Sequence, residues 1–244
     1  MHTYYGSWIV ILLCMVISGY ASSKVRNTFA KYDRVPCRSR MTGHDTALRL
    51  LRASGISDIS VGKVSGELSD HYHPARRIVN LSESTSNSAS VAAVAVAAHE
   101  IGHVLQNKQH YLPYKIRTAI VPAVNLGSRL AIPLVLIGAL LNTGIIAAGN
   151  SDLGYTLAMT GVFLYGFSVV FALVTLPVEL NASRRARELL LSQGILSESE
   201  IPGAKAVLSA AAMTYLASLL VSVVYYLRFI FMVMTMFGRR NNRR

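Results

Sequence analysis

A mainly α-helical membrane protein, with about four transmembrane helices and a small α+β segment at the cytoplasmic surface, is predicted by three features of the chain. Of its 244 residues, 52% are hydrophobic and only 15% charged, a balance that soluble domains of this size rarely show. The apolar residues gather in blocks long enough to cross about 30 Å of hydrocarbon. The charge is lopsided: 24 Lys and Arg against 12 Asp and Glu give a formal net charge of +12, and basic clusters stand beside block ends, as the positive-inside rule requires. No aromatic-and-basic ladder, helix-turn-helix spacing or RNA-binding signature accompanies that charge, which excludes nucleic acid as the partner. An anionic lipid bilayer fits it better. Cys14 and Cys37 form no disulfide framework and suit a soluble part facing a reducing compartment.

The first apolar run, Tyr4 to Ala21, has Trp8 and Tyr20 near its ends, where aromatic rings favour the headgroup region. No Lys or Arg precedes it, so it is expected to be a retained anchor and not a cleaved signal. Lys24, Arg26, Lys31, Arg34, Arg38 and Arg40 follow, which puts the N-terminus outside and this stretch in the cytoplasm. Thr42 reads as a helix N-cap, with Ala47, Leu48, Leu50 and Leu51 at helical spacing and Gly55 as the stop. Ile59 to Val64 and Arg77 to Leu81 read as two short strands joined by a loop through Gly66, Asp70, His71, Tyr72, His73 and Pro74. After a Ser/Asn-rich turn over 82–90, Val91 to His103 contains no breaker and reads as one buried helix.

The next block, about Ile116 to Gly149, is too long for a simple span and contains Pro122 and Pro133, so it is expected to begin as a helix along the surface. Asn150, Ser151 and Asp152 form an outer turn, and Leu153 to Pro177 returns to the inner side, where Arg184, Arg185 and Arg187 wait. Glu188 to Lys205 reads as a polar helix-turn segment. Ala206 to Phe237 is a last apolar helix interrupted by Arg228 and followed by Arg239, Arg240, Arg243 and Arg244. Four spans from an outside N-terminus would leave that tail outside, against the charge rule, unless the last segment does not cross. The domain organisation is therefore an anchor over 1–22, a cytoplasmic segment over 23–115, a helix pair over 116–178, a further cytoplasmic segment over 179–205, and a C-terminal helix with its tail over 206–244.

His99-Glu100-Ile101-Gly102-His103 is a His-Glu-x-x-His motif on that buried helix. Its two imidazoles stand at i and i+4, one turn apart on one face, where both can reach a tetrahedral Zn²⁺ at about 2.0 to 2.1 Å. Glu100 then lies beside the open position, able to take a proton from the attacking water and pass it to a leaving amine. Chance produces the pattern in on the order of one chain in a hundred, and two His and a Glu in an Ala/Val helix are costly to bury without a metal. A third ligand is needed, and no His lies downstream of His110. Glu179, directly after an apolar span and opening a helix with Arg184 and Arg185, is the best candidate, with Glu188 as the fallback. One zinc per chain is expected.

Asp70-His71-Tyr72, the run from Val91 to Gln106, and Leu176-Pro-Val-Glu-Leu-Asn-Ala-Ser-Arg-Arg-Ala186 resemble segments of the YugP-type neutral zinc metallopeptidases, over nearly the whole chain. The resemblance implies a bacterial plasma-membrane, multi-pass endopeptidase with a zincin-like cytoplasmic segment, His99 and His103 as ligands and Glu100 as general base. Glu179-Leu-Asn-Ala-Ser183 is also similar to the third-ligand helix of the HtpX-type membrane proteases, which implies Glu179 as the third ligand in a gluzincin-like site. The chain departs from the expected pattern at Asn181 and His73, where Asp is anticipated.

His71 and Tyr72, in a loop with Asp70 and His73, are expected to fold over the site as oxyanion donor or supporting group. The strand Arg77 to Leu81 is expected to pair with an extended peptide, and Tyr215, in a helix with Ser209 and Ser218, is a further candidate for the cavity. The function that follows is hydrolysis of peptide or membrane-protein chains by zinc-activated water. The rival reading is a noncatalytic metal-dependent membrane scaffold or chaperone. A transporter is disfavoured because the spans carry no paired carboxylates and no broken-helix repeat.

Overall fold

The computed structural model describes residues 2–143 and 151–241. It contains α1 (His2–Asp33), α2 (Gly43–Ala53), β1 (Ser60–Val64), β2 (His71–His73), β3 (Ile78–Ser82), α3 (Glu83–Ser86), α4 (Val91–Lys108), α5 (Leu112–Thr143), α6 (Ser151–Ser192) and α7 (Ile201–Asn241). Among the described residues, four helices are long and apolar enough to cross a membrane: Trp8–Asp33, Leu112–Thr143, Asp152–Ser192 and Ile201–Gly238. The mainly α membrane architecture with a small mixed segment is therefore as the sequence predicts.

The block expected to start along the surface is one continuous helix, α5, with Pro122 and Pro133 inside it; residues 144–149 lie outside the described residues, as do Asn150 of the expected turn and Arg243 and Arg244 of the tail. Glu179 does not open a new helix. α6 runs on through Pro177 to Ser192, since a spanning helix tolerates the proline's missing N–H where neighbouring groups satisfy the freed carbonyl.

The chain divides into two compact units. The first comprises residues 1–18, 116–175 and 216–244. Within it, α5 and α6 pack through small residues: a β-carbon added at Gly127 would lie 2.6 Å from the Leu164 carbonyl oxygen, and one at Gly161 the same distance from that of Ala131. Such close backbone approach is how helices associate where lipid supplies no hydrophobic drive. Val135, Ala158, Val162 and Val233 form its buried centre.

The second unit comprises residues 19–115 and 176–215. α4 is its axis, with Ala92, Ala93, Val94, Ala95, Ala97 and Ala98 fully buried. Ser90 starts it by accepting the Ala93 N–H at 3.1 Å, the Ala/Val run carries it, and the left-handed His110 (φ 55) lies just beyond its end. Leu50, Leu81, Val79, Leu190, Ile195 and Leu208 surround it. A helix buried all round is apolar all round, which is why α4 shows no amphipathic pattern. Thr42 caps α2 in a capping box with Asp45, and Gly55 turns the chain at φ 67, both as the sequence predicts.

The sheet has three strands, in the order β1-β3-β2. The residues expected to be a loop form β2, which pairs antiparallel with β3 through Tyr72 and Val79, while β1 pairs parallel with β3 through Gly62 and Asn80. The Arg77 N–H bonds the Pro74 carbonyl at 3.3 Å and Arg77 adopts φ 52, closing the β2–β3 hairpin. β3 is thus the central strand with both edges filled, and it cannot add a substrate strand as anticipated; a peptide could pair only with an outer strand.

Candidate metal centre

His99 and His103 stand one turn apart on α4, with ring centroids 4.7 Å apart and planes at 84°. Facing them from α6 is Glu179, 1% exposed. Its Oε2 lies 3.2 Å from His99 Nε2 and 3.5 Å from His103 Nε2, and the three residues offer one ligand atom each within 4.8 Å of one another. The donor set is two imidazole nitrogens and a carboxylate, the hard-to-borderline ligands that zinc takes. At zinc–ligand distances of about 2.0 to 2.1 Å, tetrahedral donors stand roughly 3.3 to 3.4 Å apart, and this oxygen lies within about 0.2 Å of that spacing from both nitrogens, at 3.2 and 3.5 Å. The residues fit the metal.

Two buried side chains hold the histidines from behind. Ser183 Oγ lies 3.2 Å from His99 Nδ1, and Gln106 Oε1 lies 3.0 Å from His103 Nδ1. The Gln106 amide also donates to the Val178 carbonyl at 2.8 Å and to Asn181 Oδ1 at 2.9 Å. Arg184 and Arg185, on the same stretch of α6 as Glu179, have partners of their own. Arg184 faces the exposed Glu188 at 3.8 Å; Arg185 donates to Asn181 Oδ1 at 2.8 Å and to Gln109, and sits over the Tyr111 ring. Glu188, the fallback ligand, is not among the clustered donors.

Glu100 is 7% exposed. Burial pushes its carboxyl up to about 7, with His99 and His71 pulling it down and Glu179 and Asp70 pushing it up. It opens with His99 onto a cleft of about 430 Å³. Val25 and Arg26 of α1, Leu68 of the β1–β2 loop, and Leu208 and Tyr215 of α7 line that cleft, so Tyr215 does face the cavity. Ser209 is exposed and does not line it.

Asp70 lines the cleft, and its carboxylate accepts the Ser82 N–H at 2.8 Å and the Ser82 hydroxyl at 3.0 Å. His71 is exposed; Nδ1 donates to the Ser69 carbonyl at 2.8 Å, which leaves Nε2 to accept from the Asn80 amide at 3.1 Å. The Tyr72 hydroxyl accepts from Asn107 Nδ2 at 3.0 Å, one turn beyond His103. His73 Nδ1 accepts the Arg76 N–H at 3.2 Å, within the hairpin turn. Gln106, Ser183 and Asn107 are not singled out by sequence reasoning. Their positions carry a signal all the same: each stands three or four residues from a metal-ligand candidate, on the same helical face.

Comparison with known families turns this geometry into an assignment. The family model described as "Putative neutral zinc metallopeptidase" matches residues 7–234. The chain belongs to that family. It is 40% identical, over 226 residues, to the "Putative membrane protease YugP" of Bacillus subtilis (strain 168), covering 93% of this chain and 95% of that protein. No solved structure matches. Zinc is the metal this membership implies, and His99, His103 and Glu179 of this zinc metallopeptidase-family chain form a group able to hold it. Its four long apolar helices agree with a multi-pass membrane protein.

Proposed function

We propose that the protein is a membrane-embedded zinc metalloendopeptidase whose active site comprises His99, His103 and Glu179 as ligands and Glu100 as general base. The observation that carries this reading is one carboxylate oxygen at 3.2 and 3.5 Å from two imidazole nitrogens, with a buried second carboxyl beside them on the cleft. When bound, zinc supplies Lewis acidity that makes water more acidic and polarises a peptide carbonyl. The chain's own residues do the rest. Glu100, with its carboxyl raised to about 7, takes one proton from the attacking water as the new C–O bond forms. It gives that proton to the departing nitrogen as the C–N bond breaks, leaving an acid and an amine. Tyr72 and His71 are the proposed oxyanion and supporting groups, and Val25, Leu68 and Leu208 keep the cleft apolar enough to strengthen the charges at work.

The basic residues of 24–40 and 184–187 favour a cytoplasmic active site, within a layout of anchor (1–22), cytoplasmic segment (23–115), helix pair (116–178), ligand segment (179–205) and C-terminal helix (206–244). Substrates are peptides or membrane-protein chains at the bilayer surface. The decisive experiment measures zinc content and casein hydrolysis by detergent-purified protein. Wild type with one zinc and activity, Glu100→Gln with zinc and none, and Glu179→Ala without zinc support the reading. Retained zinc with function unchanged in Glu100→Gln points to the scaffold instead.

A further inference from the structure

We propose that Gln106 is the positioning residue of the site: one buried carboxamide that dictates which nitrogen of His103 faces Glu179 and also fixes the turn of α6 that carries Glu179. The inference rests on the zinc reading above for its meaning, but its hydrogen-bond logic does not.

Gln106 is fully buried, so its bonding capacity must be met by protein groups. The Val178 carbonyl, 2.8 Å away, can only accept, and the Gln106 atom facing it is therefore the amide nitrogen. The second proton of that NH₂ goes to Asn181 Oδ1 at 2.9 Å. Asn181 is itself fixed, because the Arg185 guanidinium can only donate and does so to the same oxygen at 2.8 Å. A carbonyl at one end and a guanidinium at the other leave the carboxamide a single orientation. Its oxygen then faces His103 Nδ1 at 3.0 Å and must receive a proton from it.

His103 thus carries its hydrogen on Nδ1, and in the neutral ring the lone pair is on Nε2, the atom 3.5 Å from Glu179 Oε2. His99 has no such dictation, since the Ser183 hydroxyl beside its Nδ1 at 3.2 Å can donate or accept. The two other partners of Gln106, Val178 and Asn181, flank Glu179 in sequence. One side chain therefore aims a ligand on α4 and braces the ligand on α6. Of Asn181 only the acceptor oxygen is used in this network, so an aspartate there would serve equally.

Groups that orient metal ligands are worth about 10- to 100-fold in affinity. The test uses full-length protein in detergent, with zinc affinity measured against a chromogenic chelator and the His103 tautomer read from ¹⁵N shifts of the metal-free protein. Gln106→Met is expected to weaken zinc about 10- to 100-fold and to abolish the dominance of the Nδ1–H form, while Asn181→Asp stays close to wild type. Wild-type affinity together with an unchanged tautomer in Gln106→Met overturns the proposal. If Gln106→Met does not fold, Asn181→Leu decides: it leaves α4 intact, so a several-fold loss of affinity supports the brace on Glu179 and wild-type affinity overturns it. A wild-type protein that binds no zinc sinks the peptidase reading instead. The tautomer in metal-free wild type then still decides for Gln106, and a His103 without a dominant Nδ1–H form overturns it.

Discussion

A β-carbon placed on Gly102 would lie 2.7 Å from the carbonyl oxygen of Ala182, so α4 and α6 touch backbone to backbone at the point between the two histidines and their facing glutamate. His99 and His103 flank Gly102 on one side; Glu179 and Ser183 flank Ala182 on the other. The second position after the motif's glutamate is often read as a spacer, but here its missing side chain sets the interhelical distance. Gly102→Ala must push α6 back by several tenths of an ångström against a close-packed core. We expect a loss of about 1 to 3 kcal/mol in stability and at least a tenfold loss in zinc affinity, checked by thermal unfolding and chelator competition. A variant with wild-type zinc affinity would show that the helix contact does not control the site.

Glu179 and Glu188 separate the ligand from its alternative. Glu179→Gln keeps the shape of a 1% exposed side chain but offers a neutral oxygen, whereas Glu188 is exposed beside Arg184. Zinc content should fall from about one per chain to near zero in Glu179→Gln and stay unchanged in Glu188→Gln, by atomic absorption on protein washed free of loose metal. Zinc lost in the second variant and kept in the first would reverse the ligand assignment.

Much of this site is legible in the sequence because its logic is local. The His-Glu-x-x-His spacing and the Ala/Val run over 91–98 dictate a buried helix with two imidazoles on one face, and Thr42 and Gly55 announce α2 by caps that depend on neighbours within a few residues. What escapes the sequence is set by distant partners. β2 is three residues long, too short for any period to register, and exists only because Tyr72 and Val79 pair across the hairpin. That pairing moves β3 to the centre of the sheet, which no local pattern reveals. Pro177 reads as a break, yet α6 passes through it because packing outweighs one lost hydrogen bond. Gln106 and Ser183 have no motif of their own; their roles emerge only where α4 meets α6.

The Tyr72 hydroxyl accepts from Asn107 at 3.0 Å, which ties β2 to α4. Tyr72→Phe removes one hydrogen bond worth about 1 kcal/mol. If the hydroxyl also stabilises the developing oxyanion, kcat should fall about 10- to 1000-fold with KM little changed. Asn107→Ala serves as the control, since it breaks the same tie while leaving the hydroxyl in place, and is expected to lower stability without a comparable loss in kcat. Equal kinetic losses in the two variants would reduce Tyr72 to a structural role.

Burial that raises the Glu100 carboxyl to about 7 carries a stability cost whose sign can be worked out. Between the unfolded value near 4.5 and the folded value near 7, the unfolded chain releases this proton while the metal-free folded protein retains it. Folding therefore weakens as pH rises through that window, by about 1.4 kcal/mol per pH unit, and the cost is complete above pH 7. Glu100→Gln has no proton to lose and escapes it. The metal-free variant should be more stable than metal-free wild type by on the order of 3 kcal/mol at pH 8, with the gap closing toward pH 4.5, as read from thermal unfolding across pH in the presence of chelator. The same variant should lose hydrolysis about 10²- to 10⁴-fold, so the carboxyl that destabilises the empty site is the one the reaction requires. Parallel stability curves for the two proteins from pH 4.5 to 8 would mean that Glu100 is not held in a protonated, water-poor setting, and its role as the proton carrier would lose its physical basis.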